Sequence, residues 1–110
     1  MTKGLSKRTY PCNLVIRGKR ISWIVISSHY EINHSDYMTD ELIIYLVKKH
    51  LENNEPQSSE KKLPWEYLIW EPLEHKNKIY RLITCTHEKQ TNFLGIVNCH
   101  LIKKSKYAKK

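Results

Sequence analysis

Apolar residues fall along the chain in short clusters, and their spacing changes character twice. "NLVI" and "RISWIVIS", residues 13–16 and 20–27, are strand-length runs separated by Arg17-Gly18-Lys19. Gly18 supplies the positive φ that a tight connection wants, so the pair reads as a hairpin. In the second run Ile21, Trp23 and Val25 fall on one side and Ile24 and Ile26 on the other. With both sides apolar, that strand is expected in the interior of a sheet. The spacing then turns helical. In "SSHYEINHSDY" Ser27 or Ser28 can cap a short helix that carries His29 in its first turn and His34 on one face with Tyr30. "MTDELIIYLVKKHLENN" predicts a longer helix, with Thr39 as N-cap, Asp40 and Glu41 in the first turn, and Lys48, Lys49 and His50 in the last. Leu42, Ile43, Leu46, Val47 and Leu51 form its apolar stripe, extended by Met38 and Tyr45.

Beyond the helices "EPQSSEKKLP" reads as a polar loop. The runs "WEYLIWEPL", closed by Pro72, "KIYRLITCTH" and "NFLGIVNCHLI" follow, with short polar gaps. Their pattern predicts an antiparallel meander. The order is β-β-α-α-β-β-β, which implies an α+β fold: an antiparallel sheet with an N-terminal strand hairpin, two helices on one face and a C-terminal three-stranded meander. Residues 1–110 are expected to form a single domain, with a basic N-terminal segment 1–11 and a basic C-terminal tail 103–110.

Composition narrows the class. A chain of 110 residues with 40% apolar residues can build one modest core, and the clustering argues against disorder. The basic start is followed by no apolar run of the kind a secretion signal needs, and no stretch is long enough to span a bilayer. A cytoplasmic location and no membrane association are expected. Cys12, Cys85 and Cys99 are odd in number and far apart, with no CxxC pair, so buried thiols are expected in place of a disulfide framework or zinc knuckle. The net charge of +8 is uneven: residues 1–20 carry six basic side chains and residues 103–110 carry five lysines, while all eleven acids lie between. Basic ends attract phosphate backbones without reading sequence, or simply keep a small protein in solution.

The residue types suit one reaction. RNA cleavage by 2′-OH attack needs a base, an acid and cations around the charged phosphorane, and no metal. His29, His34, His100 and Arg81 are the candidate catalytic residues, histidine because it titrates near neutral pH. Lys78, Asn98, Tyr80 and Arg20 are candidates for holding the RNA. His34 also reads as a helix-end residue bonded to Asp36. An arginine inside an apolar strand is costly unless it meets an anion, so Arg81 calls for Glu66, Glu71 or a substrate phosphate. No metal site and no cofactor are expected: the spacing of His29 and His34 is poor for two ligands on a helix, and there is no glycine-rich phosphate loop.

The early strand, "SSHYEINH" opening the helices, and the closing "IYRLITC" and "LGIVNCHLI" resemble the RelE/BrnT-like (BECR-type) ribonuclease toxins over residues 21–102. The resemblance implies a toxin-like metal-independent endoribonuclease that acts on mRNA at an exposed sheet face and is blocked by a cognate antitoxin. It matches His29 to an early-helix histidine, Arg81 to a basic residue of a central strand, and Asn98 and His100 to polar positions of the last strand. Unlike RelE itself, the central strands lack a dense lysine and arginine array. Two other classes stay open. One is a non-catalytic RNA- or DNA-binding module, in which Trp65, Tyr67 and Trp70 stack bases or else fill the sheet core. The other is a protein-interaction role as inhibitor or subunit, for which the mildly acidic middle and the Trp-rich run would serve.

Overall fold

The apolar runs fold into six strands and one helix within residues 7–27, 38–52 and 54–102, the part of the chain that the computed structural model describes. The strands are β1 (Lys7–Ile16), β2 (Lys19–Ser27), β3 (Ser58–Lys62), β4 (Trp65–His75), β5 (Lys78–His87) and β6 (Phe93–Ile102); the helix is α1 (Asp40–His50). All six strands belong to one mixed sheet in the order β1-β2-β6-β5-β4-β3. Every neighbouring pair is antiparallel except β2 and β6, which run parallel.

Local chemistry explains the hairpins. Arg17 and Gly18 both take positive φ (52° and 80°), as do Lys76 and Asn77 (50° and 66°). Two successive positive values make the two-residue turn whose twist matches paired strands. The helix forms as its caps dictate: the Thr39 hydroxyl accepts from the Leu42 N–H at 3.1 Å, and Leu51 closes the last turn. Its Ile43, Leu46 and Val47 are buried.

The core lies between α1 and one face of the sheet. Tyr10 and Cys12 of β1, Ile24 and Ile26 of β2, Leu94, Ile96 and Cys99 of β6, Leu82 of β5, and Leu68 and Trp70 of β4 line it. Polar contacts fasten the helix at both ends. Asp40 accepts from Arg8 Nε at 2.5 Å, Arg8 Nη2 at 2.7 Å and the Tyr10 hydroxyl at 2.6 Å, binding the first turn to β1. The hydrogen bond to Asp40, then burial and the carboxylate charge, raise the Tyr10 pKa above the ordinary phenol value. At the other end His50 Nε2 lies 3.1 Å from the Glu74 carbonyl, and the Tyr45 and His75 rings meet at 4.8 Å.

Several expectations are corrected. The meander is four-stranded, β3-β4-β5-β6, because Ser58–Lys62 pairs with β4 where a loop was expected. All five of its residues are exposed, so no alternation marks it; its backbone bonds to β4 define it. The sheet is mixed, since the hairpin joins it through a parallel pair. One helix stands among the described residues, and the other expected helix falls in residues 28–37, outside them. Tyr45 is exposed, so the apolar stripe is narrower than its sequence suggests. Pro72 does not end β4, which runs on to His75 through a pairing irregularity between Trp70 and Leu73. Proline lacks the N–H that a regular ladder needs, and a bulge accommodates it.

At Gly95 the sheet leaves little room for a side chain. The glycine pairs with Cys85, and a Cβ there would lie 2.7 Å from Cys85 Sγ. Gly95→Ala is expected to cost about 1 kcal/mol, at the low end for overpacking because the sulfur can rotate away. In a Cys85→Ala background the same change should cost almost nothing. Urea denaturation of the four proteins measures this, and an equal penalty in both backgrounds would refute the contact.

Candidate nucleic-acid interface

The sheet face opposite α1 collects the functional candidates. Strand alternation sends every second residue there. From β2 come Trp23 and Val25, from β6 Phe93 and Gly95, from β5 Ile83 and Cys85, and from β4 Trp65, Tyr67 and Ile69, in cross-strand register. At the end where β6 begins, Lys7, Thr9, Trp23, Val25, Trp65, Gln90, Asn92 and Phe93 surround an open groove of about 500 Å³. Trp23 remains 42% exposed. Trp65 sits edge-on to Phe93, with centroids 6.3 Å apart and planes at 80°, and meets the His87 ring at 4.8 Å and 90°. Edge-to-face rings hold one another in place.

Register explains this meeting of distant residues. Trp23 and Phe93 are paired across the parallel β2–β6 ladder, and Trp65 and His87 across the antiparallel β4–β5 ladder. His87 also orders the turn into β6: its Nδ1 accepts the backbone N–H groups of Lys89 at 3.1 Å and Gln90 at 3.3 Å. Gln90 in turn lines the groove.

The opposite end of the same face holds Arg81, Asn98 and His100. Arg81 and His100 are cross-strand partners, and Asn98 lies two pairs along, opposite Ile83. The irregularity between Ile83 and Thr84 leaves Val97 as the extra residue, so Ile96 and Cys99 both reach the core while Asn98 and His100 face away. Arg81 Nε donates to Glu71 Oε1, and the Glu71 side chain is only 4% exposed. Of the anions that the sequence could offer, Glu71 is the one that meets the arginine. Asn98 Oδ1 accepts from the Cys99 N–H at 2.8 Å. Phe93 and His100 are about 20 Å apart along β6.

The other candidates disperse. Tyr80 is buried on the core face. Lys78 is exposed at the start of β5. Arg20 lies at the hairpin end, where its Nη1 donates to Asn13 Oδ1 at 2.9 Å. His29 and His34 lie outside the described residues. Among the aromatics singled out from sequence, Trp65 and Tyr67 belong to the open face, whereas Trp70 is buried and donates its indole N–H to Thr84 Oγ1 at 3.0 Å. Trp23 and Phe93 were not anticipated as site residues, and their only sequence signal was an aromatic on each face-alternating run. The thiols are poor nucleophiles: burial raises Cys12 and Cys85, the latter opposed by the Lys7 charge, and pushes Cys99 up to about 12. Among the described residues no cluster of three or more His, Cys, Asp or Glu side chains could hold a metal ion. No described helix is long and apolar enough to cross a membrane. No family model matches the chain, nor does any curated protein or solved structure.

The two bonds to His87 Nδ1 require an unprotonated nitrogen there, which puts the ring hydrogen on Nε2. Nitrogen-15 NMR at pH above the histidine range should therefore report the Nε2–H tautomer for His87. An Nδ1–H tautomer would contradict the turn geometry.

Proposed function

We propose that this chain binds single-stranded RNA across the open face of its sheet. The observation that carries the reading is the grouping of Trp23, Trp65 and Phe93 around one open groove with Lys7 at its rim. Bases have apolar faces and charged linkers, so a site for single strands combines exposed rings with cations that follow the phosphates. The net charge of +8 adds long-range attraction. Stacking tolerates any base, so the expected binding is weakly sequence-selective. Trp23 is the natural probe, because truncating a half-exposed ring removes little core.

A second reading keeps the ribonuclease chemistry. Its support is the cross-strand placement of Arg81 beside His100 on the face that would carry the strand. There the imidazole would exchange a proton with the 2′ or 5′ oxygen, and the guanidinium, exchanging part of its bond with Glu71, would meet the phosphate. This is the activity that the resemblance to RelE-like toxins implies.

One experiment serves both. Fluorescence titration of mixed-sequence RNA should show that Trp23→Ala or Trp65→Ala weakens binding by about 5- to 150-fold, the range for losing one stacked base. Affinity should also fall with salt, with a slope of roughly −0.7 per phosphate contacted. Unchanged affinity in both variants would overturn the binding reading. In EDTA, cleavage leaving 2′,3′-cyclic phosphate ends that disappears in His100→Ala would support the second reading, and intact RNA with the wild type would exclude it.

A further inference from the structure

A separate pocket lies on the helix side of the sheet, where β6 stops short of the hairpin. β6 pairs with β2 only from Trp23 onward, so the start of β2 projects past it toward the ends of β4 and β5. The space left is about 250 Å³, lined by Ile16, Arg17, Lys19, Ile21, Lys61, Glu66, Leu68 and Thr86. Its floor is apolar, since Ile16, Ile21 and Leu68 are all buried. Its rim is cationic: Arg17 and Lys19 come from the first hairpin and Lys61 from β3.

The charges are unevenly matched. Arg17 Nη1 lies 3.4 Å from Glu66, and its Nε lies 3.5 Å from Glu55. Glu55 is 76% exposed, so an arriving anion can take its place on the guanidinium at little cost. Among the described residues, the ammonium groups of Lys19 and Lys61 meet no carboxylate. Once Glu55 is displaced, three cations against the carboxylate of Glu66 leave the pocket two positive charges in excess. That excess matches the dianion of a phosphomonoester, whose charge at neutral pH is about −1.5 to −2. The guanidinium fork suits its paired oxygens, and the nearby Thr86 hydroxyl offers a further donor. The apolar floor would lie against the carbon group of the ester.

We propose that this pocket binds a small phosphomonoester, with Arg17, Lys19 and Lys61 on the phosphate and Ile16, Ile21 and Leu68 on the organic group. The site is independent of RNA binding, because it opens on the other side of the sheet.

The test is NMR titration of the full chain with inorganic phosphate and with phenyl phosphate at constant ionic strength, using chloride as the control. Saturable shifts at Arg17, Lys19, Lys61 and Thr86 are expected, with phenyl phosphate the tighter ligand. Lys19→Gln and Lys61→Gln, both at exposed positions, should keep the thermal midpoint and each weaken phenyl phosphate by roughly ten- to hundredfold, the effect of one charge-assisted hydrogen bond. Absence of saturable shifts would overturn the proposal. So would equal shifts at Lys48, Lys49 and Lys76, affinity unaltered in both variants, or equal affinity for the two phosphates.

Discussion

The parallel pairing of β2 with β6 is the constraint on which the rest of the structure depends. Four residue pairs form it: Trp23 with Phe93, Ile24 with Leu94, Val25 with Gly95 and Ile26 with Ile96. This ladder joins the N-terminal hairpin to the C-terminal meander within a single sheet. It alternates in function as it does in direction. Ile24, Ile26, Leu94 and Ile96 complete the core under α1, while Trp23 and Phe93 build the aromatic groove on the other side. Parallel strands cannot be joined by a tight turn, so the chain must leave the sheet and return. Here it does so through α1 and three further strands before β6 closes against β2.

The two sides of the sheet treat the same residue type differently. Trp70 is buried, and Thr84 satisfies its indole N–H. Trp23 keeps much of its surface in water. Leaving a large ring exposed forfeits burial energy, and Trp23 shares its groove with the half-buried rings of Trp65 and Phe93. The core part of the helix-side face needs no such account, because α1 covers it and Asp40, His50 and Tyr45 anchor α1 at both ends. Gly95 serves the open side in another way: without a Cβ it lets Cys85 lie close and keeps the centre of that face low.

Local chemistry was legible in the sequence. Thr39, the acids after it and the apolar stripe define α1, and Gly18 marks the first hairpin turn. Apolar runs on both sides of β2 correctly implied an interior strand. What could not be read is non-local. Ser58–Lys62 has no alternation because both its sides face water, so only its partner strand reveals it. A bulge carries β4 past Pro72, whereas a proline in the sequence reads as an end. The β2–β6 ladder joins residues about seventy positions apart, beyond the reach of any local pattern. The candidate site divides in the same way. The need of Arg81 for an anion was readable, and Glu71 meets it, but the union of Trp23, Trp65 and Phe93 exists only in the folded sheet.

The most direct measurement is the NMR of the three tryptophan indole N–H groups as single-stranded RNA is added. Trp70, sealed in the core, serves as an internal reference beside Trp23 and Trp65. Base stacking on the open face predicts large saturable shifts for Trp23 and Trp65 and none for Trp70. RNA that binds while all three signals stay in place would contradict the account and move binding away from the aromatic groove.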